Sequence, residues 1–124
     1  MLIVRYAVRV TALLALAAWA RAAGPNTITF ENRSGAAALV KLVGPTRGAL
    51  PVPDRSIASI HVEAGRYYIL VRYGSAGHYA YSKGREFSVE GSGTVYSLVT
   101  ITLHKVVNGN YSTWPASQAE FDRQ

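Results

Sequence analysis

Cysteine is absent from this chain of 124 residues. Its absence excludes disulfide bonds, thiolate nucleophiles, cysteine-ligated zinc and lipid attachment through a cysteine. Charged residues are also scarce, at 16%, and no window repeats apolar residues at helical spacing over three turns. The low charge and the missing helical period exclude a coiled coil and intrinsic disorder. The length fits a single domain with one core.

The N-terminal segment contains no acidic residue and has its own composition. Arginines precede an apolar stretch at residues 10–20, and Ala20 and Ala22 supply the small residues of a cleavage site. This order is typical of a secretory signal peptide. We therefore predict a signal helix over residues 1–22, cut after Ala22 or, as the second choice, after Ala20. The alternative is a retained membrane anchor, because residues 2–20 are almost long enough to span a bilayer.

Removal of this segment changes what the charge of the chain implies. The whole chain carries a net charge of +6, whereas residues 24–124 hold ten basic and seven acidic residues, a net charge of +3. We expect a secreted or periplasmic protein that meets a membrane only through an uncleaved signal. A charge of +3 and an exported location both argue against a nucleic-acid partner.

Downstream of the signal, polar and apolar residues alternate in short runs that are separated by turn residues. The runs lie at 27–31, 36–43, 56–62, 66–73, 79–82, 86–90 and 94–107. Alternation predicts inward positions on these strands, namely Ile28, Phe30, Ile60, Val62, Phe87, Val89, Val99, Ile101 and Leu103. The glycine- and proline-rich stretches at 44–48 and 51–54 are interpreted as chain breaks, and the short turns at 64–65 and 91–93 as hairpins.

About seven strands in about 100 residues predict an all-β fold. We expect a single antiparallel β-sandwich over residues 26–111, immunoglobulin-like or prealbumin-like, with a small closed barrel as the alternative. Residues 112–124 are expected to form a C-terminal tail. This tail either lies over the surface with Trp114 or Phe121 as its anchor, or is disordered.

One strand connection carries a family resemblance. The segment from Val62 to Val71 resembles the Gly-x-Tyr hairpin of prealbumin-like sandwiches, notably the carboxypeptidase regulatory-like modules, with Gly65 and Tyr67 in the matching positions. The resemblance implies that Tyr67 packs between two sheets. It also implies a non-catalytic module with a binding or structural role, and it carries over no catalytic residue.

Catalytic machinery is sparse in this sequence. The three histidines, His61, His78 and His104, are far apart and form no His-x-His pair, and no Gly-x-Ser-x-Gly motif is present. Glu86 and Glu90 would lie about 13 Å apart along a strand, which is too far for a glycosidase pair. We predict a protein that is not an enzyme, with no catalytic residue, metal site or cofactor.

Residues 66–85 form the most unusual stretch, with five tyrosines, four basic residues and no acidic residue. Tyrosine rings offer flat contact surfaces, and guanidinium and ammonium groups neutralise anions. The predicted binding residues are Arg72, Tyr73, His78, Tyr79, Tyr81, Lys83 and Arg85. Arg72 and Arg85 would contact the anion, whereas Tyr79 and Tyr81 would stack on the ligand. The competing interpretation is that these tyrosines simply pack in strands.

Two functions remain open on this sequence. The first is a binding or accessory module at the cell envelope or outside the cell, whose partner is an anionic glycan, a cell-envelope polymer or a protein. The second is a structural or assembly subunit that pairs with another chain through an edge strand, for which residues 94–107 are the candidate. Asn32 and Asn110 each begin an Asn-x-Ser glycosylation pattern. In an organism without N-glycosylation, both are ordinary turn asparagines.

Overall fold

The computed structural model describes residues 4–16, 26–92, 95–107 and 113–124. The described elements are β1 (Val4–Leu16), β2 (Asn26–Arg33), β3 (Ala38–Val43), β4 (Gly48–Val52), β5 (Ile57–Val62), β6 (Gly65–Tyr73), β7 (Ala80–Gly84), β8 (Phe87–Val89), β9 (Val95–Val107), β10 (Thr113–Pro115) and the helix α1 (Gln118–Arg123). Strands dominate this part of the chain, so the all-β prediction is confirmed.

The strands form two sheets. A four-stranded sheet has the order β1-β9-β2-β5, and a six-stranded sheet has the order β10-β7-β6-β3-β4, with β8 pairing the first residues of β6. Neighbouring strands are antiparallel except for β2 and β9, which are parallel. The fold is therefore a sandwich, but not the wholly antiparallel one that the sequence predicted.

The core lies between the sheets and follows the period of two. Ile28, Phe30 and Leu103 from the four-stranded sheet are fully buried, as are Val40 and Val71 from the six-stranded sheet. Each such side chain stabilises the fold by about 1.5–3 kcal/mol relative to an exposed one. Alternation therefore placed the inward residues of the strands correctly.

Two connections differ from the sequence prediction. The turn at residues 64–65 links β5 in one sheet to β6 in the other, and the stretch after β8 leads to β9 in the opposite sheet. The connection at residues 64–65 is therefore not a hairpin, and that prediction was wrong. At residues 91–93 the chain does turn back, because Ser92 and Val95 form an antiparallel bridge with backbone hydrogen bonds of 2.9 and 3.0 Å, although β8 and β9 themselves are not paired and Gly93 lies outside the described residues. The period of two decides which side chains face inward, but it does not decide which sheet receives the strand.

A further difference is β4, which lies in a region interpreted as broken chain. It pairs with β3 at one end of the six-stranded sheet and places Pro51 opposite Leu39. Because an edge strand does not need every backbone N–H for pairing, it tolerates a proline that a central strand would exclude.

The N-terminal segment is extended in the structure. β1 pairs with β9 over thirteen residues, from Val4 opposite Val107 to Leu16 opposite Val95. The expected signal helix is thus a strand in this chain, since an unpaired edge of β9 offers it backbone partners. Ala20 and Ala22 lie outside the described residues, and cleavage stays a prediction. In the described ranges, no helix is long and apolar enough to cross a bilayer.

The C-terminal segment contains β10 and α1. β10 pairs with β7, and the Ser117 hydroxyl accepts a hydrogen bond from the Glu120 N–H at 3.1 Å, which caps α1. Phe121 is buried, so its predicted role as an anchor is confirmed. The Trp114 side chain lies outside the described part of the structure.

Two polar side chains fix turns inside the sandwich. Asn32 is buried, donates to the carbonyls of Ala36 and Val52 at 2.8 Å, and accepts from Ser34. It is therefore a turn asparagine whose amide is already used; Asn110 lies outside the described residues. Tyr67 is buried between the sheets, as expected, and its hydroxyl donates to the Glu63 carbonyl at 2.6 Å.

Candidate functional site

The candidate site lies on the outward face of the six-stranded sheet. Alternation along β6 and β7 points Leu70, Arg72, Tyr81 and Lys83 away from the core, and the strand register sets Arg72 opposite Tyr81 and Leu70 opposite Lys83. Leu70 is nevertheless fully buried. We attribute this burial to α1, which packs on this face of β6.

Phe121 is the side chain with which α1 reaches the sheet. Its ring centroid lies 5.4 Å from that of Tyr81 and 5.6 Å from the Arg72 guanidinium. Lys41 lies 4.4 Å from the same ring and donates a hydrogen bond to the Phe121 carbonyl at 2.9 Å. We call Arg72, Tyr79, Tyr81, Lys83 and Phe121 the aromatic–cation cluster.

The solvent-facing part of the aromatic–cation cluster is the pair of Arg72 and Tyr79. The Arg72 guanidinium lies 4.2 Å from the Tyr79 ring centroid, which is a cation–π distance. Tyr79 is 38% exposed and meets Tyr81 edge to face at 6.3 Å. Within the described ranges, no carboxylate lies at ion-pair distance from Arg72. This cation is held by rings and keeps its charge available to a ligand.

Lys83 has a different environment within the aromatic–cation cluster. It forms an ion pair with Glu120 of α1 at 2.9 Å, and its ammonium lies 5.0 Å from the Tyr68 ring. The hydrogen bond to Glu120 raises the pKa of Lys83, although burial opposes this change. Its charge is therefore partly neutralised from within the chain.

The structure thus brings together four of the seven residues predicted for binding, Arg72, Tyr79, Tyr81 and Lys83. His78 is exposed in the adjoining loop, where its backbone N–H donates to the Ser75 carbonyl at 2.9 Å. The sequence prediction did not include Lys41 or Glu120. It named Phe121 only as an anchor, and no local pattern connects these distant residues to β6 and β7.

Tyr73 belongs to the core and not to the outward-facing aromatic–cation cluster. It is 1% exposed, and its ring stacks on that of Tyr6 at 3.9 Å with the planes 11° apart. Burial raises the pKa of the Tyr73 hydroxyl, and the neighbouring Tyr6 adds to this effect. Its grouping with Arg72 on one surface was wrong, because neighbouring residues on a strand face opposite sides and Arg72 faces outward.

Arg85 is separated from the aromatic–cation cluster. It follows the far end of β7, about 20 Å along the strand from Tyr79, and lines a cavity of about 220 Å³ with Val8, Val10 and Phe87. The predicted pairing of Arg72 with Arg85 around one anion is therefore not what the fold provides. Arg72 and Arg85 belong to the same stretch of sequence but lie in different parts of the fold.

One other cleft has its charges paired internally. A cleft of about 580 Å³ between the β2–β3 and β4–β5 connections holds the ion pair of Arg33 with Glu31 and that of Arg55 with Asp54. His61 lies 3.2 Å from the Thr27 hydroxyl. In the described part of the chain, no three His, Asp or Glu side chains are grouped to hold a metal ion.

Comparison of the chain with protein-family models, with curated proteins and with solved structures gives no match. The resemblance to prealbumin-like modules around Gly65 and Tyr67 therefore stays a prediction. The argument for function rests on the geometry of the aromatic–cation cluster.

Proposed function

We propose that this chain is an exported, non-catalytic β-sandwich module that binds an anionic glycan or cell-envelope polymer. The contact surface is the solvent-facing part of the aromatic–cation cluster. The observation that carries the proposal is the Arg72 guanidinium lying 4.2 Å from the exposed Tyr79 ring without a carboxylate partner in the described residues. Export is supported by the signal pattern at the N-terminus.

The chemistry of this pair suits a sulfated or carboxylated sugar. A guanidinium stacked on a ring keeps its N–H groups in the plane, so its edge can donate two parallel hydrogen bonds to a carboxylate, sulfate or phosphate. An exposed tyrosine ring also provides an apolar surface with a hydroxyl at its end, which suits the mixed face of a sugar.

The surrounding charge favours the same class of ligand. Lys41 and Arg72 flank the Phe121 ring, and the Lys83 charge faces Glu120. Arg47 reaches the end of α1, where it donates to Gln124 at 3.1 Å. Because these cations lie near the surface, their attraction for a polyanion should weaken as salt is added.

Chromatography on heparin and on immobilised peptidoglycan tests the proposal. The chain is expected to bind at low salt and to elute as salt rises. Arg72→Gln and Tyr79→Ala should each weaken binding about tenfold, since a charge-assisted contact contributes about 1.5 kcal/mol.

Arg66→Gln is the matched control. Arg66 points outward from the same strand, but it pairs with Glu86 at 3.2 Å, so its loss should leave retention unchanged. Passage through both columns at low salt contradicts the proposal. Equal effects of the two arginine substitutions contradict the site, because binding would then follow net charge alone.

A further inference from the structure

The β9 edge is covered by the N-terminal segment of the chain. β1 runs antiparallel to β9 along its entire length, and β2 pairs with the other side of β9. β2 contributes fully buried side chains, with Ile28 and Phe30 at 0% exposure, whereas no described side chain of β1 is fully buried. β1 exposes Arg9, Val10, Thr11 and Ala12.

Among the described side chains of β1, Tyr6 and Val8 anchor the strand on the sandwich. Tyr6 stacks on Tyr73 at 3.9 Å, and Val8, opposite Leu103, also packs against the core. Val8 further lines the cavity that contains Phe87 of the other sheet. β1 therefore closes one side of the sandwich with an aromatic residue and a β-branched residue two positions later.

The same segment carries the export signal pattern. A cut after Ala22 removes β1 and uncovers the β9 backbone together with Tyr73 and Leu103. Residues 95–107 contain no proline or glycine, and Lys105 is their only lysine. Natural edge strands are normally protected by such residues or by short length. β9 has thirteen residues and lacks this protection. An uncovered β9 edge would therefore pair readily with another strand.

We propose that the β9 edge of the exported chain accepts an extended segment of a different protein. This segment runs antiparallel to β9 and places an aromatic residue at the position of Tyr6 and a β-branched residue at the position of Val8. Backbone hydrogen bonds supply affinity. Specificity comes from the slot above Tyr73, by which we mean the space that the Tyr6 ring fills in the uncut chain. The inference rests on the export part of the proposed function, but not on the aromatic–cation cluster.

A second copy of the chain fits this edge less well. Pairing β9 with β9 about a two-fold axis at Ile101 keeps the inward residues inward. It also sets Ser97 opposite Lys105, at the position that Tyr6 occupies now. Two-fold axes one residue or a few residues away set Val95, Val99 or Ile101 there instead. None of these side chains is aromatic, so self-pairing does not replace the ring that stacks on Tyr73.

A labelled synthetic peptide of residues 4–16 tests the proposal. The protein is exported by a bacterial host, its N-terminus is measured by mass spectrometry, and peptide binding is followed by fluorescence anisotropy. The exported chain should bind the peptide saturably. A Tyr6→Ser peptide should bind about tenfold more weakly because it loses the stacked ring. A Thr11→Ser peptide, altered on the exposed part of β1, should bind like the original.

The same peptide-binding measurement on the uncut full chain provides a second test. The uncut chain should not take up the peptide, because β1 occupies the edge. A full chain carrying Tyr6→Ser should exchange its weakened strand for the labelled peptide.

Three results would overturn the proposal. The first is an exported chain that retains residues 4–16. The second is peptide binding no tighter than that of a scrambled peptide in both tests. The third is an exported dimer that the peptide dissociates, since the occupant would then be a second copy. Heparin and peptidoglycan retention is measured separately, so failure at the β9 edge is distinguishable from failure of the aromatic–cation cluster.

Discussion

Tyr81 packs against Phe121, with ring centroids 5.4 Å apart and ring planes tilted by 58°. The contact joins a residue of the tyrosine-rich stretch to a helix that begins 37 residues later. Tyr81 therefore has a structural role on the outward face, and the ligand-facing role that we propose falls mainly to Tyr79. Packing thus describes Tyr81, and binding is proposed for its neighbour Tyr79 on the same face.

Phe121→Ala should lower the free energy of unfolding by about 3 kcal/mol. The substitution removes a buried ring and uncovers Leu70 beneath α1. The measurement is urea unfolding followed by tryptophan fluorescence and circular dichroism. Asp122→Ala, at an exposed position of the same helix, is the control and should change stability by less than about 0.5 kcal/mol. Equal stability of the two variants would show that α1 does not pack on the sheet.

In the uncut chain, where Tyr6 of β1 covers Tyr73, Tyr73→Phe should leave the free energy of unfolding unchanged or raise it by about 1 kcal/mol. The Tyr73 hydroxyl is buried and has no hydrogen-bond partner among the described residues, so the folded state gains nothing from it. Tyr67→Phe is the contrasting variant and should lower stability by about 1–2 kcal/mol, because the Tyr67 hydroxyl is hydrogen-bonded to Glu63 and Thr46. Thermal unfolding of both variants checks this order, and a larger loss for Tyr73→Phe would contradict it.

The ion pair of Lys83 with Glu120 should make stability depend on alkaline pH. Since the hydrogen bond to Glu120 raises the pKa of Lys83 in the folded protein, the pair stabilises the fold fully below the unfolded lysine value of about 10.4. This contribution is lost as the pH rises through the higher folded value. We expect Glu120→Gln to cost about 0.5 kcal/mol at pH 8 and progressively less above pH 10.4.

Urea unfolding between pH 8 and pH 11 measures this dependence. Glu86→Gln is the matched control, because Glu86 pairs with Arg66 and an arginine does not titrate in this range. A difference between wild type and Glu120→Gln that stays constant across the series would argue against the Lys83 assignment.

Much of the strand pattern could be predicted from local sequence. Ile28, Phe30, Val99, Ile101 and Leu103 occupy the inward positions that alternation assigned to them. The same alternation contains information that the site prediction did not use, since it places Tyr73 and Arg72 on opposite faces of β6. The predicted site was therefore too broad where it treated a stretch of sequence as one surface.

The sequence by itself determined the all-β class, the inward faces of the strands and the aromatic and basic character of residues 66–85. These features follow from local alternation and composition, which act over a few residues. Only the tertiary structure decided that Arg72 meets Tyr79, that Arg85 lies elsewhere and that Glu120 and Phe121 complete the aromatic–cation cluster. Such contacts depend on which strands pair and on what packs over them, and a period of two is the same for every pairing.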